Sequence, residues 1–180
     1  FFCKGDIKSI ADLKGKKVRV QGTSQSDFVA AIGGVGVTIA FGEVVPALEK
    51  GVTDCGITGT MPGYKAKWGE VVDTLFRLPV GYTVGIWAVN LNVWNKLSQP
   101  TKDAIQAEMK KLEEQSWSVI EAETEEGVAC NTGGTCSVGP TGKLKLVKPS
   151  EEDIKVRDKA LNDVVLARWA KRCGDECAAK

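Results

Sequence analysis

Between residues 17 and about 90, short β-branched runs alternate with short helical ones, and this punctuation constrains the fold more than any other feature of the chain. The runs lie at residues 18–21, 26–32, 37–39, 43–50 and 54–58, which predicts an α/β domain. Val44, Ala47 and Leu48 share one helical face and Gly51 follows them, so residues 42–50 form the best-marked short helix. In the first strand the period of two sends Val18 and Val20 to one face and Arg19 to the other, so its guanidinium projects from the strand's end. The Gly33-Gly34-Val35-Gly36 run lacks the register of a dinucleotide fingerprint and reads as a helix-ending turn.

Beyond residue 80 the pattern lengthens. Residues 82–91 read as a strand long enough to run between two lobes. Ser98 and Pro100 then open a helix carrying Ala104, Ile105, Met109, Leu112, Val119 and Ile120 at three- and four-residue spacings. Continued to about Gly127, this helix is ~40 Å long, more than one small lobe requires, and it reads as a spine. A hairpin-like cysteine loop, a strand over 144–147 and a helix starting at Ser150 complete the chain. The domain division expected is residues 1–90 for an α/β lobe with hinge strands and 91–180 for the spine helix, cysteine loop and C-terminal helices.

Composition excludes several classes of function. With 24 basic and 23 acidic residues in 180, no overall positive field favours nucleic acid. Histidine is absent, which removes histidine-based triads and the commonest metal ligand. The six cysteines lack the tight pairs of a zinc site, so neither a metal nor a cofactor is expected. Cys130 and Cys136 flank a glycine-rich turn, and Cys173 and Cys177 sit one helical turn apart. Both pairs are candidate disulfides and point to an oxidising compartment. Cys3 and Cys55 can pair with each other, stay reduced, or pair with residues outside the chain. The acidic group Glu113, Glu114, Glu121, Glu123, Glu125 and Glu126 reads as a solvated helix face. No apolar run reaches membrane-spanning length.

Two quoted segments carry a family resemblance: Asp12-Leu13-Lys14-Gly15-Lys16-Lys17-Val18-Arg19-Val20 and, at a fixed distance, Phe41-Gly42-Glu43-Val44-Val45-Pro46-Ala47-Leu48-Glu49-Lys50-Gly51-Val52-Thr53-Asp54. Together they resemble the second lobe of a TRAP-transporter periplasmic solute-binding protein of the DctP type. The resemblance covers residues 10–71 and, more loosely, the spine helix. It implies a two-lobe receptor that closes on a small organic acid in the periplasm and delivers it to a TRAP membrane permease, with binding rather than catalysis as its task. Arg19 would clamp the ligand carboxylate, a task suited to its planar fork of donors, and Phe41 would form a wall of the pocket. Thr58 stands where many such receptors carry an asparagine, and Thr60 can share its role. Gln21 and Thr23 follow Arg19 in a turn that can present polar groups to an anion. Trp87 and Tyr64 can line an apolar part of the pocket.

The asparagine's replacement and the nearby tryptophans lean the expected ligand towards a larger or aromatic acid. The chain opens Phe1-Phe2-Cys3 without methionine, and the resemblance starts midway through such a receptor, so the first lobe is expected to be missing and an apolar seam exposed. A ligand-sensing domain of a signalling receptor with a similar closing cleft is the alternative. An enzyme on the same fold ranks last, because no clustered catalytic constellation is visible.

Overall fold

The computed structural model describes residues 1–83 and 85–178. It divides into two compact units, one of Phe1–Val80 with Glu125–Lys180 and one of Gly81–Thr124. The first unit holds a six-stranded mixed sheet in the order β3-β2-β4-β1-β5-β6. Its strands are β1 (Phe2–Cys3), β2 (Lys17–Val20), β3 (Val35–Thr38), β4 (Cys55–Gly56), β5 (Thr74–Phe76) and β6 (Lys145–Val147). β2 runs parallel to both β3 and β4, β5 runs parallel to β6, and the short β1 is antiparallel to β4 and β5 on either side of it.

Two cores form because successive side chains point to opposite faces of the sheet. Val18, Val20, Cys3, Cys55, Ile57 and Phe76 join Phe28 and Val29 of α1 (Thr23–Ala31) on one face. Phe2 and Leu75 join Val44 and Leu48 of α2 (Val44–Glu49), together with Trp68, Val72 and Leu144, on the other. Cys3 and Cys55 are directly opposed across β1 and β4 and form a disulfide with Cα atoms 4.1 Å apart, which resolves the pairing that spacing leaves open. The short helix is found as expected, with a 3-10 turn over Phe41–Glu43 leading into α2 and Gly51 at φ +69° just beyond its end. After β4 comes α3 (Thr60–Lys65).

The remaining helices are α4 (Leu91–Asn95), α5 (Gln99–Thr132), α6 (Glu151–Ala160), α7 (Ala167–Cys173) and α8 (Asp175–Ala178), with a π-helical turn over Leu161–Leu166 between α6 and α7. Ser150 caps α6 in a reciprocal box with Asp153, whose buried carboxylate also accepts from Ile10 N at 2.7 Å. Asp27 of α1 accepts from Arg168 (2.9 Å) and Arg172 (2.7 Å), tying α7 to the sheet's helical layer.

Three expectations need correction. The long helix does not end at Gly127 but runs to Thr132, and the stop is Gly133 at φ +90°. Gly127 serves a close approach instead, because a Cβ there would lie 2.3 Å from Met61 N of α3. Cys130 therefore lies in the helix's last turn, not in a hairpin, and bridges to Cys136 beyond the helix. Residues 82–91 do not form a strand where described (Val84 lies outside the described residues): 85–90 have no regular structure and Leu91 begins α4. A strand needs a ladder partner, and none pairs with this segment among the described residues. Residues from Glu125 onward supply β6, Leu144 and α7 to the first unit.

The second unit is rich in exposed apolar side chains, among them Ile86, Trp87, Trp117 and Ile120. Glu113, Glu114 and Glu121 lie on its solvated face, as expected, whereas Glu125 pairs with Arg77 and Glu126 accepts from Ser137 in the first unit. Among the described residues no helix is long and apolar enough to cross a membrane.

Candidate functional site

Topology alone gathers most of the expected site residues. The segments following the carboxyl ends of the three parallel strands contain Gln21 and Thr23 after β2, Phe41 after β3, and Thr58 and Thr60 after β4. In parallel α/β sheets this end is where ligands bind, because helices cover the faces and leave a crevice beyond the strands.

Arg19, one residue from the end of β2, sits at the centre of that edge. It lies on the face opposite Val18 and Val20, as the alternation predicts, and its residue is 2% exposed. Its Nε donates to Ile39 O beyond β3 at 3.0 Å, and its Nη1 donates to Ile57 O beyond β4 at 3.0 Å. These bonds reach beyond both strands flanking β2 and hold the guanidinium at two points. They use two of its five N–H donors. No carboxylate pairs with Arg19 among the described residues. Burial pushes the guanidinium below its ordinary pKa, yet an arginine stays a cation throughout the physiological range.

Aromatic rings supply the rest of its surroundings. Arg19 Cζ lies 5.8 Å from the Phe41 ring centre and 5.6 Å from that of Trp68, and the two rings are 5.4 Å apart. Trp68 is fully buried, whereas Phe41 keeps 39% of its surface open. Phe41 is thus the ring that can meet a ligand, while Trp68 acts from behind. Sequence reasoning overlooked Trp68. Its signal is not local, since Gly56 of β4, twelve residues earlier, makes the room: a Cβ at Gly56 would lie 2.7 Å from the indole.

The other expected residues divide. Thr58 is partly buried, and Gln21 and Thr23 are exposed at the same sheet edge, with Gln21 N bound to Gln25 Oε1 at 2.8 Å. Thr60 faces α5: Asn131 Nδ2 donates to its carbonyl at 2.9 Å, and its hydroxyl abuts Gly127. Tyr64 donates to Pro140 O at 2.8 Å and borders a cavity of ≈ 450 Å³ with Lys67, Asn131 and Thr141, whose lining includes none of the residues around Arg19. Trp87 belongs to the second unit, where it is exposed. Among the described residues no cluster of histidine, cysteine, aspartate or glutamate could hold a metal ion.

The pattern of DctP, the bacterial extracellular solute-binding proteins of family 7, matches residues 3–164. Among solved structures the chain is similar to the periplasmic ectoine-binding protein of the TeaABC TRAP transporter of Halomonas elongata, with TM-score 0.79 and 16% identity over 99% of this chain and 56% of that one. It is similar also to a TRAP periplasmic solute-binding protein from Desulfovibrio salexigens with bound orotic acid, with TM-score 0.79 and 18% identity over 99% and 55%. A third, from Rhodoferax ferrireducens with bound malonate, has TM-score 0.72 and 19% identity over 99% and 54%. At these identities the likeness is one of fold. The chain spans little more than half the length of these structures.

Proposed function

The chain belongs to family 7 of the bacterial extracellular solute-binding proteins, a family of binding proteins and not of enzymes, and on that premise we propose that Arg19 receives the carboxylate of a small organic acid. The observation that carries the proposal is a buried guanidinium with donors to spare and no acidic partner among the described residues. A charge withdrawn from water calls for an opposite charge, and an anionic ligand supplies it. The open face of Phe41 offers apolar contact to the ligand's carbon skeleton, and Thr58 offers a hydroxyl. Gln21, Thr23 and Thr60 are the further polar candidates at this edge of the sheet.

In this reading the chain is the second lobe of a periplasmic receptor. A first lobe completes the cleft, receives the exposed apolar surface of the second unit and brings Trp87 into the site. The loaded receptor delivers its acid to a TRAP membrane permease. The orotic acid and malonate bound by similar proteins support an organic acid as ligand. The test is a binding titration of the two-lobe receptor with carboxylates and with their amides. Acids that bind where their amides do not support the reading, and indifference to the carboxylate contradicts it.

A further inference from the structure

We infer that Trp68 is the positioning residue of this site: its indole, with Phe41, seats the Arg19 guanidinium so that an anion is captured end-on across the two Nη atoms. The inference rests on the reading of Arg19 as the ligand's anchor. Its own grounds are geometric.

With Nε committed to Ile39 O and one Nη1 hydrogen to Ile57 O, a carboxylate can be held by two donors only by bridging Nη1 and Nη2. That edge must face the crevice, and two carbonyl bonds hold the group at two points but leave it free to tilt about the line that joins them. The rings supply the missing constraint, since the guanidinium, Phe41 and Trp68 form a nearly equilateral triangle with sides of 5.8, 5.6 and 5.4 Å. Phe41 is open to solvent, so the fixed member of the pair is Trp68. Phe2 meets the indole edge-on at 5.6 Å, and Gly56 lets it lie against β4.

A residue present only for packing would not need an N–H. Trp68 Nε1 is buried with no acceptor among the described residues, an arrangement that disfavours tryptophan relative to phenylalanine at the same place. What indole offers in return is the strongest cation–π surface of the aromatic side chains. Being fully buried, Trp68 does not touch the ligand and acts through Arg19.

The test begins without ligand, on the 15N-labelled two-lobe receptor, by following the Arg19 Nε–Hε signal, assigned by its loss in Arg19→Lys. We expect a ring-shifted, slowly exchanging signal in the parent chain and in Trp68→Phe. In Trp68→Leu, and in Gly56→Ala, which pushes on the indole while leaving the arginine in place, Hε exchange should be about tenfold faster while the backbone amides of β2–β4 keep their protection from exchange. An Arg19 signal equally protected and equally shifted in Trp68→Leu overturns the inference. Should that variant fail to fold, Gly56→Ala decides in the same terms.

The second readout uses malonate and mandelate as probes. Trp68→Leu should weaken the acid that binds by about tenfold when Arg19 is intact and add nothing in an Arg19→Gln background, which leaves the indole no cation to seat. An equal loss in both backgrounds contradicts action through Arg19. If neither acid binds the parent two-lobe receptor, the Arg19 signal still decides the role of Trp68, and the failure belongs to the proposed function.

Discussion

A guanidinium held at the end of β2 by two carbonyls and two rings is an expensive arrangement for a residue with no ionic partner among the described residues, and its chemistry argues for a ligand. Arg19→Ala should nearly abolish acid binding, a loss of ~2–5 kcal/mol. Arg19→Lys should bind more weakly than the parent, because a point charge replaces a fork and cannot keep both carbonyl bonds while bridging a carboxylate. Calorimetric titration checks both, and unchanged affinity in either would contradict the assignment. At this scale the sequence was legible wherever periodicity speaks: Val18 and Val20 entered one core and Arg19 the opposite face. It was silent where distant segments meet. Trp68 reaches Arg19 through space cleared by Gly56, and Cys3 finds Cys55 only once β1 lies between β4 and β5. The carbonyls of Ile39 and Ile57 are backbone atoms whose role no side-chain identity reveals.

At the scale of elements, two contacts between helices each turn on a single residue. Asp27 on α1 takes hydrogen bonds from Arg168 and then Arg172 on α7, which hold its carboxyl below the ordinary value of 3.8 despite the opposing effect of burial. A carboxyl whose pKa is lower folded than unfolded adds stability above the unfolded value and loses it as pH falls through the folded one. Asp27→Asn should therefore cost about 1.5–3 kcal/mol near neutral pH. Its denaturation curve should converge on the parent's as pH drops below 3.8 towards the lower folded value, and a gap that persists undiminished in strong acid would contradict the pairing. The second contact is the crossing of α5 over α3 at Gly127. Gly127→Ala should lower stability by about 1–3 kcal/mol despite alanine's better helix propensity, because the methyl group meets backbone. A raised melting temperature would contradict the close approach. The same crossing explains why the helix end was misread: a glycine in a helical pattern ordinarily marks a stop, and here it marks a contact, with Gly133 as the stop. Short elements with their own punctuation, such as α2 before Gly51 and α6 behind Ser150, were legible because cap and stop are local.

At the scale of the whole molecule, the second unit exposes Ile86, Trp87, Trp117 and Ile120, and residues 85–90 lack a strand partner. Their β-branched and aromatic content suggested a strand, but sheet structure depends on a neighbour that composition cannot supply. If a first lobe is that neighbour, the 180-residue chain by itself should self-associate at micromolar concentration and bind a hydrophobic dye, and the two-lobe receptor should do neither. Light scattering coupled to gel filtration checks this, and a dye-silent monomer would contradict it. The central claim, that the carboxyl end of the β3-β2-β4 strands binds an organic acid through Arg19, is tested most directly by a thermal-shift screen of the two-lobe receptor. The panel pairs aliphatic, sugar-derived and aromatic carboxylates with their amides. An acid at ~100 times its dissociation constant should add about 2.7 kcal/mol of stability, its amide should add little, and Arg19→Ala should erase the gain. A folded receptor that no acid stabilises, or one stabilised equally after Arg19→Ala, would contradict the account.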